Sequence, residues 1–140
     1  MTDDPRQAVQ AANERFYRAF ESLDLAEMDE VWAHGSDVAC IHPGWSRLHG
    51  WDQVRRSWAA IFRSTTEMRF TITDVRVEVR GDLGWVHCTE NILSEARGSL
   101  SITAILATNV FERQGAGWRL VHHHASHILA APADPEPSDN

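Results

Sequence analysis

Four kinds of side chain in this sequence could handle protons or hold a polar group inside a small fold. His42 stands directly before Pro43-Gly44. An imidazole titrates near ~6.5 when unperturbed, which suits a general base at neutral pH; the same placement also describes a histidine hydrogen-bonded at a strand end. Glu90 lies in the run Leu83–Leu93. Strand alternation puts Val86, Cys88, Glu90 and Ile92 on one face and Trp85, His87, Thr89 and Asn91 on the other. The first set is the more apolar, so it faces the interior and takes Glu90 with it. A carboxylate there needs a raised pKa or a cationic partner. Asn109 interrupts an apolar, β-branched run, and a buried amide needs partners. Tyr17 is the only tyrosine; its ring suits a core and its hydroxyl then needs satisfaction. His122, His123 and His124 invite a metal, but consecutive strand residues alternate faces and cannot converge on one ion. His122 and His124 share a face, and no third ligand stands at motif spacing, so no metal is expected.

The elements that must position these residues read clearly from periodicity. Val9, Ala12, Phe16, Ala19, Phe20 and Leu23 recur at helical steps and predict a helix over about 5–22. Asp24-Leu-Ala-Glu27 reads as a capping box before a second, short helix. Ser36 to His42 reads as a strand broken by Pro43-Gly44. Trp51, Val54, Trp58, Ile61 and Phe62 predict a third helix. Its Trp58 and Phe62, one turn apart, would wall a cavity, and Trp45, in the loop after Pro-Gly, suits a pocket rim. From Met68 the period becomes two. The parity skip at Thr73-Asp74 predicts a β-bulge, Arg80-Gly81-Asp82 a turn, Leu83–Leu93 a strand and Glu95–Gly98 another turn. Ala104–Arg113 and Trp118–Ile128, joined by Gln114–Gly117, predict a closing hairpin. Helices followed by long antiparallel strands give an α+β domain with the helices on one face of a bent sheet, over 1–129, and a Pro- and Asp-rich disordered tail over 130–140.

Composition narrows the classes of function. A net charge of −7 argues against nucleic acid as a partner. All thirteen cations are arginine, which excludes Schiff-base lysine chemistry and a P-loop lysine. No Rossmann fingerprint or Ser/His/Asp order appears, so no cofactor is expected. Cys40 and Cys88 lack metal or redox spacing and read as reduced core thiols of a cytoplasmic protein. The polar start MTDDPRQ has no signal-peptide character, and no apolar run suits a membrane.

The order of elements, with Phe16-Tyr17-Arg18-Ala19-Phe20, Ile41-His42-Pro43-Gly44, Gly50-Trp51, Trp58, Ala107–Phe111 and Gly117–Ser126, resembles the nuclear transport factor 2-like or ketosteroid isomerase-like superfamily. It is most similar to the SnoaL-like group and the association domain of calcium/calmodulin-dependent protein kinase II. The resemblance implies a cone-shaped fold, three N-terminal helices packed on a curved, mostly antiparallel sheet, and a homodimer joined through that sheet. It implies a base at His42, where the isomerases hold an aspartate, and a donor at Tyr17. Asn109 falls near their protonated aspartate but cannot supply the same acid. The kinase domain's ligand-contacting arginine falls near Glu90, so the sign is reversed and carboxylate ligands are not expected. The family pattern further places His122 and His124 outward with Trp118 and Leu120, and His123 inward with Val121 and Ala125. Together these imply a pocket with His42, Glu90, Asn109 and His123 as its polar set, Trp45, Trp58 and Phe62 as walls, and Tyr17 reaching in. The expected ligand is a small apolar or polar-aromatic molecule. The expected function is isomerase- or cyclase-type catalysis with His42 as base, or non-catalytic ligand binding by a dimeric association domain.

Overall fold

The first helix, α1 (Pro5–Ser22), begins where Asp4 accepts a hydrogen bond from the Arg6 amide and Pro5 fills the first helical position. It stops at Leu23, which takes a left-handed conformation (φ 56°). Its buried face carries Val9, Ala12, Phe16, Ala19 and Phe20, and also Asn13 and Tyr17, two polar groups one turn apart. Helix α2 (Leu25–Val31) is capped by Asp24, whose side chain accepts from the Ala26 amide; the Asp24 amide itself donates to Ser22 Oγ, so the expected box is half formed. Helix α3 (Trp51–Ser64) starts after Gly50. A computed structural model describes residues 4–129; the expectation of a disordered tail over 130–140 lies outside them, as does the chain's first tripeptide.

The strands are β1 (Ala39–Ile41), β2 (Leu48–His49), β3 (Glu67–Arg80), β4 (Leu83–Ala96), β5 (Ser99–Gln114) and β6 (Gly117–His127). They form one six-stranded sheet in the order β2-β1-β6-β5-β4-β3. All neighbours are antiparallel except β1 and β6, which run parallel. The α+β architecture and three helices match expectation. The expected first strand is shorter than Ser36–His42, and the two-residue β2 was not anticipated. Strands β4 and β5 run on to a turn at Arg97-Gly98, beyond the expected ends.

Two bulges set which side chains face the helices. The first lies between Thr73 and Arg76, at the parity skip, with Asp74 at φ 57°. The second lies in β6: Phe111 pairs with Leu120 while Val110 pairs with His122, so Val121 is the extra residue. This bulge corrects the expected outward position of Trp118 and Leu120. Both face the core, at 5% and 0% exposure, while His122 and His124 still face out and His123 in. Gly84 lies under α1; a methyl there would meet Val9 Cγ2 at 2.6 Å, so the helix sits closer to the sheet than any side chain would allow.

Candidate functional site

The turn His42–Trp45 is where local sequence makes site geometry. Pro43 sits at its second position and Gly44, at φ 84°, at its third, and the Trp45 amide donates to the His42 carbonyl at 2.9 Å. That is a type II turn, which needs a positive φ at this glycine. It places the His42 and Trp45 rings with centroids 4.8 Å apart. His42 is buried, and Trp45 lies exposed against it at the surface. Trp58 stands edge-on to His42 at 4.8 Å, and Phe62 packs on Trp58 and Phe20.

On the sheet, parity brings Glu90, Asn109 and His123 to the same face, all nearly fully buried. Asn109 lies directly across from His123. Tyr17 reaches down from α1 and donates to Glu90 Oε2 at 2.6 Å. Asn109 Nδ2 donates to Tyr17 Oη at 3.0 Å and to Asn13 Oδ1 at 2.8 Å, and its Oδ1 accepts from His123 Nδ1 at 2.5 Å. The result is one continuous chain, His123–Asn109–Tyr17–Glu90. His42 belongs to a second, shorter chain: its Nε2 lies 2.8 Å from Ser57 Oγ, which donates to the Val54 carbonyl at 2.7 Å. The two chains approach where the His42 and His123 rings lie 6.4 Å apart.

Burial dominates the electrostatics. It pushes Glu90 up to about 7, with the Tyr17 hydrogen bond pulling the other way. It pushes His42 down to about 4 and His123 well below the usual histidine range, and it raises Tyr17, Cys40 and Cys88, the last to about 11. Both cysteines are free, and neither is an activated thiolate.

Glu90, Asn109 and His123 therefore come together through Tyr17 in one closed network, with His42 in a separate chain beside it, rather than as the lining of an open cavity. A concavity of about 870 Å³ is bordered by Arg15, Arg18, Glu30, Trp118 and Arg119, away from the network. Beneath α3 the interior is filled by Phe16, Phe20, Trp58 and Phe62. Sequence reasoning missed Asn13 and Ser57. Asn13 carried a signal, since it sits four residues before Tyr17 on the apolar face of α1. Ser57 adjoins Trp58 on a charged helix and carried none. No group of three or more potential metal ligands occurs among the described residues.

Helices laid over one face of a bent sheet, with a buried polar network between the layers, define a nuclear transport factor 2-like protein. Residues 9–131 match the SnoaL-like domain family, and the chain belongs to that family. A Streptomyces avermitilis protein of the nuclear transport factor 2-like family, provisionally assigned as a dehydratase, is 42% identical with a TM-score of 0.85, covering 90% of this chain and 97% of its own. A Thiobacillus denitrificans protein, provisionally assigned as a calcium/calmodulin-dependent protein kinase type II association domain, is 36% identical with a TM-score of 0.77, covering 86% and 94%. The F-box protein SKIP8 of Arabidopsis thaliana is 29% identical over 122 residues, 87% of this chain; the chain spans about half the length of that relative. Among the described residues no helix is long and apolar enough to cross a membrane.

Proposed function

We propose that the chain binds a small, largely apolar molecule between α1, α3 and the sheet and performs acid–base chemistry on it, of the isomerase, cyclase or dehydratase kind. The observation that carries this reading is Glu90: a carboxyl at 2% exposure, held by Tyr17 at 2.6 Å and poised near neutrality with no cation beside it. Structural carboxylates are seldom buried this way, whereas a proton-transferring carboxyl needs a pKa near working pH. His42 serves as the general base. Burial keeps its ring unprotonated, as a base must begin, and the low basicity is what proximity to the substrate has to offset. Asn109 and His123 hold the Tyr17 hydroxyl in place. The provisional dehydratase assignment of the relative at 42% identity points to the same class of proton chemistry. Ligand entry requires the aromatic layer of Trp58 and Phe62 to move.

The test is a fragment screen by NMR on isotope-labelled protein, with Glu90 titrated by its carboxyl carbon shift. The reading expects saturable shifts at His42, Trp58 and His123, and a Glu90 midpoint near pH 7. A Glu90 midpoint in the ordinary carboxylate range, with no fragment reaching these residues, would overturn it.

The non-catalytic association reading has its own observation. Strand parity puts Leu93, Ile102 and Leu106 on the sheet face away from the helices, and Ile102 is 83% exposed. Apolar area of this kind is what a second copy would cover, so we propose a homodimer through the sheet. The two buried, free thiols suit a reducing compartment such as the cytoplasm.

A further inference from the structure

The directions of the buried hydrogen bonds determine which lone pairs are left over. The Val54 carbonyl can only accept, so the Ser57 hydroxyl, 2.7 Å away, commits its proton there. His42 Nε2, 2.8 Å from the same hydroxyl, must then be the donor. A neutral imidazole has one N–H, so His42 Nδ1 keeps its lone pair; the Cys40 sulfur, a weak donor, lies 3.9 Å from it and 3.6 Å from Nε2.

The same accounting applies to His123. Asn109 Nδ2 is the atom that reaches the Asn13 oxygen and the Tyr17 hydroxyl. Asn109 Oδ1 is therefore the atom facing His123 Nδ1, and it can only accept. His123 then carries its proton on Nδ1, and Nε2 is an unprotonated acceptor. Burial holds both rings neutral. Between them stands Trp58, with ring centroids 4.8 Å from His42 and 6.1 Å from His123. Trp58 is wholly buried, and its Nε1–H, like that of Trp32 elsewhere in the core, has no acceptor among the described residues. A buried N–H without a partner costs about 1–3 kcal/mol and calls for an explanation. One corner of the interior thus offers two unprotonated imidazole nitrogens and one N–H without an acceptor. No arginine is among its buried residues.

We infer that this site takes an uncharged, hydroxyl-bearing molecule on an apolar skeleton, its O–H donating to one of the unprotonated imidazole nitrogens and its oxygen accepting from Trp58 Nε1–H. This rests on the reading of the region as a ligand site. A hydroxyl both donates and accepts through one atom, which is what this arrangement asks for. A ketone answers the indole and leaves both lone pairs unmet. A carboxylate brings a negative charge to two lone pairs and a carboxyl, with no cation to offset it. Trp58 is then a specificity-determining residue rather than packing alone.

The experiment uses three probes of one skeleton, 2-naphthol, 2-naphthoate and naphthalene, against protein labelled with nitrogen-15 in histidine and tryptophan. In the free protein the His42 proton is expected on Nε2 and the His123 proton on Nδ1. 2-Naphthol should bind at least ~10-fold tighter than naphthalene and move the Trp58 indole signal, and 2-naphthoate should be the weakest of the three. Trp58→Phe keeps a ring and removes the N–H; it should bring 2-naphthol down to the affinity of naphthalene. Ser57→Ala leaves every ring in place and releases the His42 proton from Nε2; it should weaken 2-naphthol and spare naphthalene. Reversed tautomers, or 2-naphthoate binding as tightly as 2-naphthol, overturn the inference and leave a ligand site standing. Absence of saturable binding by all three probes overturns the inference and the ligand-site reading together.

Discussion

Burial shifts Glu90 and His42 in opposite directions, and the two shifts act on stability with opposite sign. Glu90 titrates near 7 when folded against an ordinary 4.5. The folded state therefore binds the extra proton between those values, and stability falls as pH rises through that window, by roughly 3 kcal/mol. His42 goes from 6.5 to about 4. The unfolded state binds the extra proton there, so stability is lost as pH falls from about 6.5 toward 4. In the overlap the two slopes oppose. Glu90→Gln removes one, so its stability should climb more steeply than wild type between pH 4.5 and 6.5 and lose the decline toward 7, in urea melts across pH. Asn109→Leu is a different case. Removing this single hub strands Tyr17, Asn13 and His123 together. Thermal denaturation should show a loss of at least ~2 kcal/mol, and an unchanged melting temperature would refute the hub role. Glu90 and Asn109 were legible in the sequence because each is a polar residue on an apolar parity. Asn13 and Ser57 were not, since a small polar residue on an amphipathic helix looks the same whether it bonds to a neighbour or to water.

At the scale of elements, the informative contrast is between the two bulges. The one at Thr73–Arg76 was readable because Met68, Phe70 and Ile72 give way to Val75, Val77 and Val79 on the opposite parity. The one at Val121 left no such trace. The residues after it are histidines, which carry no apolar parity, so nothing in the alternation marks the extra residue. The type II turn was legible too: Pro-Gly at its centre is a direct statement about backbone angles. Its glycine is testable. Gly44→Ala puts a side chain at φ 84° with open space around it, so the cost is conformational, about 1–2 kcal/mol. The same substitution should shift the His42 ring signals in NMR, because the turn fixes that ring against Trp45. Stability equal to wild type would mean that the turn relaxes and does not position the site.

For the whole molecule, the fold was legible because its layers follow from runs of period 3.6 and then 2. The closed interior was not, since periodicity says which residues face inward and nothing about whether space remains between them. The outer sheet face yields the third-scale prediction. Ile102→Glu should convert a dimer to a monomer in sedimentation at micromolar concentration, with the fold intact by circular dichroism; a wild-type protein already monomeric there would refute the sheet interface. The close seat of α1 at Gly84 has a further effect. Val9 and Tyr17 lie on one rigid rod, so the missing methyl beneath Val9 acts as a shim at one end of a lever whose other end carries a hydroxyl to within 2.6 Å of Glu90. Gly84→Ala should lift that end, lengthen the Tyr17–Glu90 contact and drive the carboxyl pKa still higher, which detunes the interior from a position that touches none of it.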